Sequence, residues 1–120
     1  MLFRSKSLAE GVYLLTPFSA DADNETTKNF VAKYTERYGS TPNQFAADAY
    51  DGVGILYVCC VSAGITPETP AAEACELVMN ELLHMQYDGL TGTMTWNEDG
   101  TVTKSPKAVI IKDGAYVSAP

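Results

Sequence analysis

Basic residues are scarce in this chain of 120: eight Lys and Arg stand against fifteen Asp and Glu, for a formal charge of −7. Between Arg37 and Lys104 there are nine carboxylates and no Lys or Arg at all. Such a surface repels phosphate, which excludes nucleic acid as a partner and argues against an anionic membrane surface. Long hydrophobic runs are also missing. The longest uncharged stretch is Gly52 to Pro67, densely apolar only from Val53 to Val61, and a bilayer span needs about 18–20 residues. The start, Met1-Leu2-Phe3-Arg4-Ser5-Lys6, has basic residues but no apolar stretch behind them, so the chain as given carries no secretory signal. Either the protein stays in the cytoplasm or the chain is not the whole precursor.

Metal ligands and nucleophiles are equally sparse. His84 is the one histidine, so a zinc site would be a ligand short. Cys59 and Cys60 are adjacent, where a disulfide would be strained, and all three cysteines read as reduced core residues. Cys75 precedes His84 by nine residues, about two and a half helical turns and the opposite face, which separates a thiol from its base. Gly52-Val53-Gly54 lies inside a helical segment rather than before one, and no nucleophile elbow is present. The reading is no catalytic residues, no metal, no cofactor and no enzyme.

What is present is punctuation. Gly11-Val12-Tyr13-Leu14-Leu15-Thr16 is an apolar run stopped by Pro17, a buried strand. Asp23 or Asn24 can cap a helix carrying Phe30, Val31, Tyr34 and Tyr38 on one face, with Gly39 as its left-handed terminator. Thr41-Pro42-Asn43-Gln44 places Thr41 as the cap of a second helix, with Gln44 reaching back to the cap amide. That helix is nearly apolar all round after Asp51, so it reads as covered on most sides. Thr69-Pro70 repeats the cap-then-proline arrangement before a third helix with the stripe Cys75, Val78, Met79, Leu82 and Met85, whose last turn holds His84. The period then changes to two: Leu90, Gly92, Met94 and Trp96 alternate with threonines as a half-buried strand. Ala108 to Ile111 and Ala115 to Val117, joined through Asp113-Gly114, read as a hairpin.

One strand followed by three helices and a small antiparallel meander lacks a neighbour for its first strand, so the chain looks like part of a larger α/β fold. Missing sequence, a second copy or exchanged segments could supply that neighbour. Asp21-Ala22-Asp23-Asn24-Glu25 begins like a calcium loop, but the sixth and twelfth positions are Thr26 and Ala32 rather than Gly and Glu, so it reads as a solvated capping loop. Asp48 and Asp51 lie three apart near the start of the second helix. They read either as carboxylates favoured by the helix dipole or, with Phe45 and Tyr50, as part of a polar cleft that could receive a ligand ammonium.

The ordered set Glu10-Gly11-Val12-Tyr13-Leu14-Leu15-Thr16-Pro17-Phe18, Phe30-Val31-Ala32-Lys33-Tyr34 through Tyr38-Gly39, Phe45-Ala46-Ala47-Asp48-Ala49-Tyr50-Asp51, and Tyr87-Asp88-Gly89-Leu90-Thr91-Gly92-Thr93 with Trp96-Asn97-Glu98-Asp99-Gly100 resembles the C-terminal third of branched-chain amino acid (Leu/Ile/Val-type) substrate-binding proteins of bacterial ABC transporters. The resemblance implies a fragment of a type I periplasmic-binding-protein fold, two α/β lobes closing on an amino acid. Residues 1–18 would belong to the C-terminal lobe and its hinge, residues 19–88 to helices of the N-terminal lobe, and residues 89–120 to a crossover strand and meander of the C-terminal lobe. Phe18, Phe45, Ala47, Asp48 and Tyr50 would edge the ligand pocket, and Asp51 would be structural. Asp48 stands where the family often has an apolar residue. The implied partners are an amino acid, bound by the full-length protein, and a membrane permease, with an extracytoplasmic location. The missing strand predicts a homo-oligomer formed by strand pairing or swapping, and the isolated 120 residues are expected not to bind ligand competently. The alternative is an oligomeric interaction module with no transport role.

Overall fold

The computed structural model describes residues 8–119. The start read above for a leader, and the first seven residues of the segment 1–18, lie outside the described residues. The element order is β1 (Tyr13–Thr16), α1 (Glu25–Tyr38), α2 (Gln44–Ser62), α3 (Ala71–His84), β2 (Tyr87–Gly89), β3 (Gly92–Trp96), β4 (Val102–Lys104), β5 (Lys107–Lys112) and β6 (Ala115–Ser118). The chain is α/β and divides into two compact units. One takes in the described parts of Met1–Ala47 and Pro106–Pro120, the other Asp48–Ser105.

In the first unit the strands form an antiparallel sheet in the order β1-β5-β6. The strand expected to lack a neighbour therefore has one, β5, with Leu14 opposite Val109 and Leu15 opposite Ala108. The pairing joins segments more than ninety positions apart, too distant for any local pattern to register. The β5–β6 hairpin turns through Asp113 (φ 52°) and Gly114 (φ 72°). Positive φ at both central residues gives the turn whose twist matches the strands, as Asp-Gly predicts. Val109 and Ile111 of β5 are buried while Tyr13 and Leu15 of β1 are exposed, the two-sided alternation of a pleated strand.

Helix α1 starts and stops where its sequence says. Asn24 is the N-cap, its side chain accepting from the Thr27 amide at 2.9 Å, and Gly39 closes the helix in the left-handed region with its N–H on the Thr35 carbonyl. The face expected to be apolar is an aromatic ladder. Phe18 meets Phe30 edge-on (5.9 Å between centroids), Phe30 is 5.8 Å from Tyr34, and Tyr34 is 4.6 Å from Tyr38.

Helix α2 begins later than expected. Asn43, not Thr41, does the capping, accepting from the Ala46 amide at 3.1 Å. Helix α3 is capped at Pro70 rather than Thr69, whose hydroxyl accepts instead from the Thr66 amide at 3.0 Å and closes the preceding turn. The second unit's apolar cluster is Ile55, Cys59 and Met94, with Val78, Leu82, Met85, Tyr87 and Trp96 packed against it. Of the stripe expected on α3, Val78, Leu82 and Met85 face this cluster, whereas Met79 is exposed. The cysteines divide too: Cys59 is buried, Cys60 half-buried and Cys75 exposed, so Cys75 is not a core residue.

Two further expectations are corrected in the second unit, the first only at its boundary. The half-buried strand expected from Leu90 starts instead at Gly92, where β3 keeps the alternation with Met94 buried and Thr93 and Thr95 exposed; β2 pairs with it, Tyr87 opposite Met94 and Gly89 opposite Gly92, and Leu90 and Thr91 form the turn. A third strand, β4, extends it to a meander by pairing Met94 with Lys104. And α2 is not covered on most sides: Val53, Leu56, Tyr57 and Val61 are all more than half exposed. By length and composition alone α2 is a helix that could cross a membrane.

Candidate functional site

The first unit holds a cleft of about 470 Å³ between the end of β1, the segment after it, the start of α2 and the β5–β6 hairpin. Its walls mix apolar side chains such as Leu14, Phe18, Phe45 and Val109 with the polar Thr16, Ser19, Asn43, Gln44 and Tyr116, and none of its lining residues is charged. An apolar pocket with a few fixed polar groups is the ordinary form of a small-molecule site.

Local chemistry sets its rim. At Pro17 the strand must stop, and the Thr16 hydroxyl turns the chain by accepting from the Phe18 amide at 3.3 Å. The same hydroxyl donates to Gln44 Oε1 at 2.7 Å. Gln44 therefore ties the end of β1 to the first turn of α2 instead of reaching back to its own cap. Ser19 Oγ donates to the Asp21 carboxylate, which also accepts from the Ser118 amide at 3.0 Å and the Ser118 hydroxyl at 3.1 Å. Partial burial pushes the Asp21 pKa up, but these hydrogen bonds outweigh it and hold the carboxyl below its ordinary value. Asp23 pairs with Lys28 at 2.6 Å, so the acidic run after Phe18 works as a clasp and a helix start.

Of the five residues expected at a ligand site, Phe18 and Phe45 line this cleft, Phe18 nearly buried and Phe45 largely exposed. The other three do not line it. Ala47 has no exposed surface and Tyr50 is 58% exposed. Asp48 is met by Lys104, whose ammonium lies 3.1 Å from Oδ1 and also donates to the Thr91 hydroxyl at 3.0 Å. That carboxylate already has a cation. Thr16 and Tyr116 were not singled out by sequence. The Thr-x-Phe turn could have signalled Thr16, while nothing local marks Tyr116.

Asp51 is structural, as the resemblance implies. It is 2% exposed and accepts from the Leu90 amide (2.9 Å), the Thr91 amide (2.8 Å) and the Thr91 hydroxyl (2.7 Å). The two carboxylates three apart on α2 thus serve one turn, directly through Asp51 and by way of Lys104 from Asp48. Gly89 sits against that carboxylate so closely that a Cβ there would meet Asp51 Oδ2 at 2.5 Å.

The sulfur and imidazole groups do not converge. His84 Nδ1 lies 2.7 Å from the Asn80 carbonyl on its own helix. Burial, with Glu81 and Cys60 adding to it, pushes the Cys59 thiol up, which disfavours the thiolate. Among the described residues no three His, Cys, Asp or Glu side chains group as metal ligands.

The model of the periplasmic binding protein family matches residues 4–115. No curated protein sequence matches the chain. Solved structures do. A Rhodospirillum rubrum protein assigned to branched-chain amino acid ABC transport is 28% identical with a TM-score of 0.69 over 92% of this chain and 31% of its own. A leucine binding protein of Thermotoga maritima is 25% identical with a TM-score of 0.72, over 93% of this chain and 31% of its own. A Desulfitobacterium hafniense ABC transporter substrate-binding protein, solved with Leu, shares 20% identity and the fold, with a TM-score of 0.78 over 94% of this chain and 32% of its own. The chain spans about 31% of the length of the structures it matches.

Proposed function

The chain belongs to the periplasmic binding protein family, and on that premise we propose that it is part of a non-catalytic, extracytoplasmic receptor that captures an amino acid of the branched-chain type and delivers it to an ABC permease. The observation that carries this reading is the uncharged cleft with Phe18 and Phe45 in its wall. A cleft of that character suits an aliphatic side chain and offers nothing to a charged one. Phe18 and Phe45 would take the ligand side chain, and Ala47, Asp48 and Tyr50, on the turn of helix that follows Phe45, would form the pocket's edge. With Lys104 beside it, Asp48 is a weak candidate for a ligand ammonium, which favours a neutral ligand side chain. The chain is proposed to contribute to both lobes. The unit boundaries at Ala47 and Ser105 differ from the boundaries at 18 and 88 that the resemblance implies.

The groups that hold a ligand's own carboxylate and ammonium are proposed to lie in the part of the receptor this chain does not span. Calorimetry with leucine should therefore give no heat for the isolated 120 residues. A chimera joining this chain to the remainder of the Thermotoga maritima leucine binding protein should bind leucine, and Phe45→Ala should weaken that binding about tenfold, or roughly 1.4 kcal/mol. Micromolar binding by the isolated chain would refute its incompetence, and a chimera indifferent to Phe45→Ala and Phe18→Ala would sink the site.

The alternative, an oligomeric module with no transport role, draws on one observation: β1 is an edge strand with exposed Tyr13 and Leu15 and no charged residue, the kind of edge that templates pairing. Light scattering decides it, since a compact monomer at all concentrations would count against intermolecular pairing.

A further inference from the structure

Four Asp-Gly dipeptides occur in the chain, at Asp51, Asp88, Asp99 and Asp113. Such a bond can rearrange without an enzyme. The glycine amide nitrogen attacks the aspartate Cγ, the carboxyl hydroxyl leaves with the amide proton as water, and a five-membered imide forms. Water then opens the imide at either carbonyl, so that part of the product runs through the side chain as isoaspartate. Glycine permits the attack because no Cβ shields its nitrogen. Ring closure also needs a free carboxyl, a free glycine amide and rotation of the main chain about the aspartate. The four sites differ in all three respects.

Asp51 is buried under three hydrogen bonds, and Gly52 lies inside α2. Asp88 and Gly89 are rungs of the β2–β3 ladder, with the Asp51 carboxylate packed against Gly89. Asp99 is exposed, but its Oδ1 accepts from the Thr101 amide at 2.9 Å and the Thr101 hydroxyl at 2.6 Å, and the Gly100 amide donates to the Asn97 carbonyl at 2.9 Å. Both reacting groups there are occupied. Asp113 is exposed as well, and among the described residues no hydrogen bond engages its carboxyl or the Gly114 amide. Only its own amide is held, by Glu10 Oε1 at 3.0 Å, upstream of the reacting pair. Asp113 is also the one non-glycine residue with positive φ among those described, a left-handed strain that opening of the turn relieves.

We propose that Asp113-Gly114 is a self-modification site, where the chain converts to isoaspartate as the protein ages while Asp51, Asp88 and Asp99 stay intact. The new linkage puts one more methylene into the main chain of a two-residue turn, between Lys112 and Ala115, which close the hairpin. Gly114, Ala115 and Tyr116 line the cleft, so the change reaches its wall. None of this depends on the ligand, since it needs only the fold around the β5–β6 hairpin.

The test is prolonged incubation of the chain in warm neutral buffer, then proteolysis and electron-transfer fragmentation, which tells isoaspartate from aspartate by cleavage of the Cα–Cβ bond. Isoaspartate at 113 should exceed that at each of the other three sites at least about tenfold, equivalent to roughly 1.4 kcal/mol of extra opening cost at those sites. In urea the four should converge to within about threefold, because only the folded structure separates them. Thr101→Val, which takes the hydroxyl from Asp99, should raise isomerisation at Asp99 roughly threefold and leave the rate at Asp113 unchanged. In the isomerised fraction the Val117 amide, opposite Ile110 in the ladder, should exchange hydrogen at least about tenfold faster than in fresh protein. The site is overturned by isoaspartate at 99 equal to that at 113, by none at 113 in folded chain that forms it in urea, or by a hierarchy that survives in urea. An Asp99 rate unmoved by Thr101→Val overturns the protection by hydrogen bonding, and unchanged Val117 exchange overturns the reach into the hairpin.

Discussion

Each unit closes a loop with an aspartate, and the two aspartates work in opposite environments. Asp51 is buried and spends both oxygens on three donors of the Leu90–Thr91 turn. Asp21 is exposed and gathers Ser19 and Ser118 at the end of β6. The bonds are equal in number, yet their worth should differ several-fold. Removing Asp51 strands donors that water cannot reach, and the full desolvation cost of each then falls on the fold. Removing Asp21 releases the Ser118 amide and hydroxyl to solvent, which replaces most of what was lost, and leaves only the Ser19 hydroxyl buried. Accessibility, not the count of hydrogen bonds, sets the hierarchy.

The sharpest break in that comparison is Asp51→Ala, expected to destabilise the chain by about 3–5 kcal/mol in urea unfolding followed by circular dichroism. Asp51→Asn, which keeps one acceptor, should fall between it and the parent; equal losses for the two would mean that packing and not hydrogen bonding holds the turn. Next comes Gly89→Ala, whose Cβ would press on the same carboxylate, for about 1–3 kcal/mol. Combined with Asp51→Ala its cost should largely disappear, because the atoms it strikes are gone. Lys104→Met, which removes the partly exposed ammonium between Asp48 and Thr91, should cost roughly 1 kcal/mol. The smallest effect is expected from Asp21→Asn, and it is best seen in the pH dependence of stability. The folded carboxyl sits below its ordinary value, so its contribution is complete above the unfolded value and lost as pH falls through the folded one. Asp21→Asn should flatten that acid limb, lowering stability slightly near neutral pH and converging with the parent in acid; an unchanged acid limb would show that Asp21 does not carry it.

What was legible in the sequence was local. Asn24, Gly39 and Asp113-Gly114 act through their immediate neighbours, and each does what its residue type dictates. The Leu90–Thr91 turn was illegible because its two central residues are not turn formers, only Gly89 and Gly92 bracket it, and it borrows its acceptor from Asp51, about forty positions back. The start of α2 was misplaced because three of its four leading residues can cap, and the choice of Asn43 goes with Gln44's bond to Thr16 on β1. The same limit divides the candidate site. Phe18 and Phe45 flank short connections that the first unit brings to one cleft. The status of Asp48 depended on Lys104, fifty-six residues away, and no spacing rule reaches that far.

Trp96, the chain's one tryptophan, packs against the cluster of Ile55, Cys59 and Met94 in the second unit, while the rings of Phe18, Phe30, Tyr34 and Tyr38 stack in the first. The molecule therefore carries a separate optical reporter for each half. Red-edge excitation, absorbed by indole alone, follows the unit that Asp51 secures, and the phenylalanine fine structure of the near-ultraviolet dichroism, from Phe18, Phe30 and Phe45, follows the unit that Asp21 secures. If the halves melt together the two signals superimpose, and if either opens first its own colour fades alone.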